Sequence, residues 1–98
     1  MVKGVTSTGF EFSVNEDVIE DWRFVTAIAD AESDDDRAKL QGTAQMVRLL
    51  LDKKSERALM EHVKREDGIV PTEAVQKEVV EIFNTIGEEN RKKSQPSP

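Results

Sequence analysis

Val75, Val79, Ile82 and Ile86 recur at steps of four, three and four residues, the spacing that puts side chains on one face of an α-helix. Pro71 precedes the run, and proline suits a helix's first turn, where its missing N–H is no loss. Phe83 flanks the stripe and Gly87 marks the expected stop. A helix with an apolar face this wide must bury it against other elements, so the rest of the chain has to supply a core for it.

Two more stretches show the same period. Asn15 is a good N-cap, and Glu16, Asp17, Glu20 and Asp21 crowd the next two turns, predicting a helix from there to about Ala31. Its stripe is Val18, Trp22, Val25 and Ala29, with Ile19 and Ile28 as flanks. Glu32 to Asp36 has no apolar side chain to bury and reads as an exposed loop whose last aspartate caps the next helix. In that helix Leu40, Ala44, Val47 and Leu51 share a face, while Met46, Leu49 and Leu50 carry apolar character round the rest of the circumference.

A third, short helix is expected from a Ser55 cap to Arg65, burying Leu59 and Val63 and part of Met60. Gly68, after Asp67, ends it in the left-handed conformation common past a helix C-terminus. At the N-terminal end Phe10, Glu11, Phe12, Ser13 and Val14 alternate apolar and polar, the period of a half-buried strand. One strand cannot stand alone: it pairs with Val2 to Thr6 in a hairpin, pairs with another chain, or lies as an arm over the helices.

The expected architecture is therefore mainly all-α. A β-arm or hairpin over residues 1–14 precedes a four-helix domain over 15–87, and 88–98 is a disordered polar tail. The predicted core is Val18, Trp22, Val25, Leu40, Val47, Leu51, Leu59, Val63, Val75, Val79, Ile82 and Ile86. With no cysteine, neither a disulfide nor a thiolate metal site supplements it.

Charge narrows the functions. Acidic residues exceed basic ones by 20 to 14, which opposes approach to a phosphate backbone, so no nucleic-acid partner is expected. The imbalance sits in the first third: residues 1–36 hold ten acidic and two basic side chains, net −8, and residues 37–98 hold ten and twelve, net +2. Such polarity suits a basic partner or head-to-tail self-association, although a solvated acidic loop and helix start account for it too. No apolar run is long enough to span a bilayer, and Met1 to Gly9 lacks the order of a signal peptide, so no membrane role is expected.

Residues able to do chemistry are sparse. His62 is the one histidine, with Glu61 and Glu66 near it, and a metal site needs more ligands than these supply. Asp34, Asp35 and Asp36 lack the alternation, central glycine and terminal glutamate of a calcium loop. No nucleophile–base pair or phosphate-binding glycine loop is present, so no catalytic, cofactor or metal residue is assigned.

What remains is a protein-binding surface. Trp22, in mid-stripe, reads as a core anchor. Phe24 falls about 120° from that stripe and Leu49 almost opposite the stripe of the second helix, at ~100° per residue. Packing beneath the strand or another helix is the ordinary fate of such residues. With the adaptable Met46, they are nevertheless the candidate partner-binding patch: Phe24, Met46 and Leu49.

The order of elements carries a resemblance. An alternating arm, FEFSVNEDVIEDWRFVTAIADAES, a leucine-rich helix, VRLLLDKKSERALMEHVKREDG, then IVPTEAVQKEVVEIFNTIG and a polar lysine-serine tail resemble the small tail assembly chaperones of long-tailed bacteriophages and prophages, especially of Gram-positive hosts. The resemblance covers about Phe10 to Ser94, and its most specific parts are Asp21-Trp22, Glu66-Asp67-Gly68 before Val70-Pro71, and Glu81-Ile82-Phe83. It implies a protein of the host cytoplasm, without cofactor, that coats the aggregation-prone tape measure protein and gives way as tail tube protein polymerises around it. The competing reading is a small acidic helical regulator, antitoxin-like, that folds on a single protein target.

Overall fold

Aspartate side chains start three of the four helices. Asp21 accepts a hydrogen bond from the Arg23 N–H at 2.8 Å, Asp35 from Arg37 at 3.1 Å and Asp52 from Ser55 at 2.7 Å. Each satisfies an amide that a helix start leaves without an intrahelical partner. The fourth helix begins directly after Pro71. These caps divide the chain, in a computed structural model that describes the backbone of residues 1–94 and the side chains of 1–91, into α1 (Trp22–Ala31), α2 (Asp36–Leu50), α3 (Lys53–Val63) and α4 (Thr72–Ser94).

Strands β1 (Val2–Val5) and β2 (Glu11–Val14) pair antiparallel within the chain, Val2 opposite Val14 and Gly4 opposite Phe12. The protein is thus mainly helical with an N-terminal hairpin. The connecting turn is closed by the Thr6 N–H to Phe10 O and Gly9 N–H to Thr6 O bonds, both 2.9 Å, with Gly9 at φ +91°. A left-handed backbone there costs glycine little. Val2, Phe10, Phe12 and Val14 are buried in the same core as the helices, so the hairpin is part of the domain and not a separate arm.

Between hairpin and α1 the expected continuous helix is broken. Glu16–Glu20 forms one stretch of 3-10 helix capped by Asn15, and Asp21 then takes an extended conformation, φ −75°, ψ 124°. The break changes the rotational phase of α1. Phe24, Ala27, Ile28 and Ala31 turn inward, while Trp22 stands 75% exposed and Val25 43% exposed. The expectation of Trp22 and Val25 in the core is therefore corrected: it assumed one helix from Asn15, whereas Asp21 caps a second helix of its own.

A similar shift applies to α2, whose inward face is Gly42, Thr43, Met46, Val47 and Leu50, followed by Leu51, leaving Leu40 exposed. Gly42 lies on α1: a Cβ there would sit 2.4 Å from the Ala31 backbone N and 2.5 Å from Ala27 O. The two backbones approach so closely because Gly42, Ala27 and Ala31 are all small.

Helix α3 starts about one turn earlier than expected, from Asp52 and not Ser55, and ends at Val63. Gly68 does adopt a positive φ, +87°, but in a separate turn after the helix, closed by Gly68 N–H to Arg65 O at 2.9 Å. Helix α4 buries Val79, Ile82 and Ile86, with Val75 and Phe83 half-buried, and runs on through Gly87 to Ser94. Glycine in a helix interior is a modest cost and not a stop. Residues 95–98 of the expected tail lie outside the described residues.

Of the twelve predicted core residues, Val47, Leu51, Leu59, Val79, Ile82 and Ile86 are buried, and Val18, Val63 and Val75 pack half-buried against them. Trp22, Val25 and Leu40 are the three misplaced. No helix among the described residues is long and apolar enough to cross a membrane.

Candidate functional site

The expected binding patch does not form on the surface. Phe24 is fully buried, its ring 5.8 Å from that of Phe83, and Met46 is buried in the same core. Leu49 is half-buried against the same cluster. The expectation is corrected for a physical reason: Phe24 leads the inward face of α1 once Asp21 interrupts the helix, and the inward face of α2 centres on Met46 and not on Leu40.

The exchange leaves a different apolar surface outside. On α1, Trp22, Val25 and Ala29 are all exposed and lie within one arc, roughly opposite Phe24, Ala27 and Ala31 at ~100° per residue. Trp22 is the first residue of the helix, and its neighbour Arg23 is held by Asp21, whose carboxylate accepts from Nε at 3.1 Å and from Nη2 at 2.7 Å. Those bonds, the Arg23 side chain foremost and its backbone N–H next, hold the Asp21 carboxyl below the usual carboxylate range. Glu20 precedes the stripe in sequence and Asp30 and Glu32 follow it, all exposed and in no ion pair among the described residues.

A second cluster joins the hairpin turn to α3 and α4, and sequence reasoning missed it. Ser7 donates through N–H and Oγ to the two oxygens of Glu81, at 2.8 and 2.9 Å. One turn earlier on α4, the buried Glu78 accepts from the Thr8 hydroxyl, and Thr8 Oγ1 lies 2.9 Å from His62 Nε2. His62 tilts against the Phe10 ring, centroids 5.5 Å apart. Nothing local in the sequence marks this convergence, since its partners lie 54 to 74 residues apart.

A hydroxyl, an imidazole and a carboxylate in contact invite comparison with a nucleophilic triad, and the geometry is wrong for one. In a triad the carboxylate holds one ring nitrogen and the hydroxyl the other. Here Glu78 Oε1, at 3.7 Å, and Thr8 both face Nε2. The cluster fastens the hairpin. Glu61 pairs with Lys64 at 2.9 Å, and among the described residues no three His, Asp or Glu side chains converge as a metal-ligand set.

No protein family, curated protein or solved structure matches this chain. The surface of α1 must therefore be read on its own chemistry. A single exposed apolar residue is ordinary on a protein surface; here the exposed one is a tryptophan, the side chain most enriched where binding energy concentrates, with Val25 and Ala29 exposed on the same arc.

Proposed function

We propose that this chain is a tail assembly chaperone of a long-tailed bacteriophage or prophage, working in the host cytoplasm. It binds and solubilises the tape measure protein and yields it to tail tube subunits as they polymerise. The sequence resemblance motivates the reading, and one structural observation carries it. Trp22 stands 75% exposed on a helix whose buried face is complete without it. An indole in water presents a large apolar area at a low ordering cost, the kind of side chain on which binding energy concentrates.

The rest of the chain supports such a role. A net charge of −6 keeps a chain with exposed apolar side chains dispersed. Contacts confined to a small surface give only modest affinity per copy, which a coat displaced during assembly requires; many copies along one client supply the avidity.

Co-expression tests the reading. A tape measure protein encoded beside this chain should move from the insoluble to the soluble fraction when the chain is present, and should co-purify with it. A client that stays insoluble at equal expression, with and without the chain, refutes it.

A further inference from the structure

We propose that the outward face of α1, with Trp22, Val25 and Ala29 at its centre, is a docking surface for a basic amphipathic helix. The inference deepens the chaperone reading and rests on it only for the client's identity. The surface itself stems from the α1 geometry.

Three observations define the occupant. First, the apolar side chains lie along the helix at spacings of three and four residues, so they form a strip and not a spot. From Trp22 to Ala29 the strip runs about 10 Å at ~1.5 Å per residue, matching about two turns of a helix laid alongside. Second, the frame is acidic at both ends. Asp17 and Glu20 precede the strip, while Asp30, Glu32 and the Asp34–Asp36 loop lie beyond it, all exposed. Third, Arg23, the one cation on α1, is engaged by Asp21, so Glu20, Asp30 and Glu32 are left for an incoming charge. A helix with leucines on one side and lysines or arginines beside them satisfies both the apolar strip and its rim.

A second copy of this chain fits less well. The copy is itself acidic, net −6, and would set like charge against the carboxylates beside α1, while the apolar face of its lysine-rich α3 is turned inward through Leu59. The occupant is therefore another protein.

Trp22 is the one tryptophan in the chain, so its emission reports directly on the surface. The probe is a synthetic amphipathic Leu/Lys peptide of about 18 residues, five helical turns, with a Leu/Glu peptide of the same pattern as its counterpart. The Leu/Lys peptide should shift Trp22 emission to shorter wavelength, saturably, with an affinity that falls as salt is raised. The Leu/Glu peptide should bind at least about tenfold more weakly. Val25→Ser, removing apolar contact, and Asp30→Lys, reversing one charge of the rim, should each weaken the Leu/Lys peptide about tenfold, whereas Leu40→Ser, off the surface, should not.

Equal binding of both peptides, no emission shift with either, or wild-type affinity in both Val25→Ser and Asp30→Lys overturns the proposal. So does an emission maximum that depends on protein concentration and not on peptide, since a second copy then covers Trp22. In co-expression the two readings separate. Wild type and Val25→Ser solubilising the client equally well overturns the surface and leaves the chaperone standing. A client insoluble even with wild type overturns the chaperone, while the peptide titration still decides the surface.

Discussion

Exchanging Phe24 and Trp22 for alanine, one at a time, tests the inversion of α1 directly. Phe24 is fully buried and in ring contact with Phe83, so Phe24→Ala should cost about 3–5 kcal/mol, the range for removing a core phenylalanine. Trp22 buries only the quarter of its surface that is not exposed. Of an indole side chain's roughly 250 Å² that is about 60 Å², or ~1.5 kcal/mol at ~25 cal/mol per Å² as an upper bound. Alanine keeps part of that contact and is the better helix former by about 0.5 kcal/mol, so Trp22→Ala should cost under ~1 kcal/mol net. A domain of this size has about 5–15 kcal/mol in all, and each kcal/mol moves its melting point by roughly 4–8 °C. Urea and thermal unfolding followed by far-UV circular dichroism should therefore separate the variants by at least about 8 °C. A Trp22→Ala variant as destabilised as Phe24→Ala would refute the inversion and return Trp22 to the core.

The glycines on α2 and α4 should respond oppositely to alanine. Gly42→Ala places a methyl against the α1 backbone and should lose about 1–3 kcal/mol despite its better helix propensity, while Gly87→Ala, with no neighbour within 4 Å, should gain up to ~1 kcal/mol; chemical denaturation of both reads the contrast. Thr8→Val leaves Glu78 buried without its hydroxyl donor and should cost about 1–3 kcal/mol, much of which a second change, Glu78→Met, should restore; a double variant no better than the single would argue against the clamp. The caps Asp21 and Asp52 both titrate below the ordinary aspartate value, held down chiefly by the Arg23 side chain and the Ser55 N–H respectively. Their folded values are depressed, so the stability they contribute is present above about pH 4 and lost as pH falls through the folded values; acid unfolding of Asp52→Asn should show a shallower loss there.

Period and caps encode most of what is legible in the sequence. The stripe of α4 reads correctly as Val79, Ile82 and Ile86, because a long helix with one wide apolar face offers no rival phase. The hairpin reads correctly as a strand at Phe10 to Val14, though only the structure selects its partner. On α1 two phases compete, and sequence periodicity does not rank them: Trp22, Val25 and Ala29 continue the line from Val18, whereas Phe24, Ala27, Ile28 and Ala31 start afresh after Asp21. Asn15 as the only cap selects the first phase, and so places the binding patch on residues that are core. The Thr8, His62 and Glu78 cluster is illegible for another reason: it is assembled by tertiary packing alone.

The choice between those two phases depends on size as much as on capping. Helix α2 presents Gly42 to α1 and needs a partner that lets backbones meet, with Ala31 N and Ala27 O both within 2.5 Å of where a Cβ would stand. Only the face carrying Ala27 and Ala31 admits that approach. The face with Trp22 and Val25 would hold the helices apart and open space around Phe83, which Phe24 now fills. Close packing of α1 on α2 therefore takes Ala27 and Ala31 inward and leaves Trp22 and Val25 on the outside, among the carboxylates that precede and follow the helix. The proposed docking surface and the close α1–α2 contact at Gly42 are thus two sides of one constraint, and Gly42→Ala should disturb both: a wider α1–α2 spacing would alter the exposure of Trp22 and its emission before the protein unfolds.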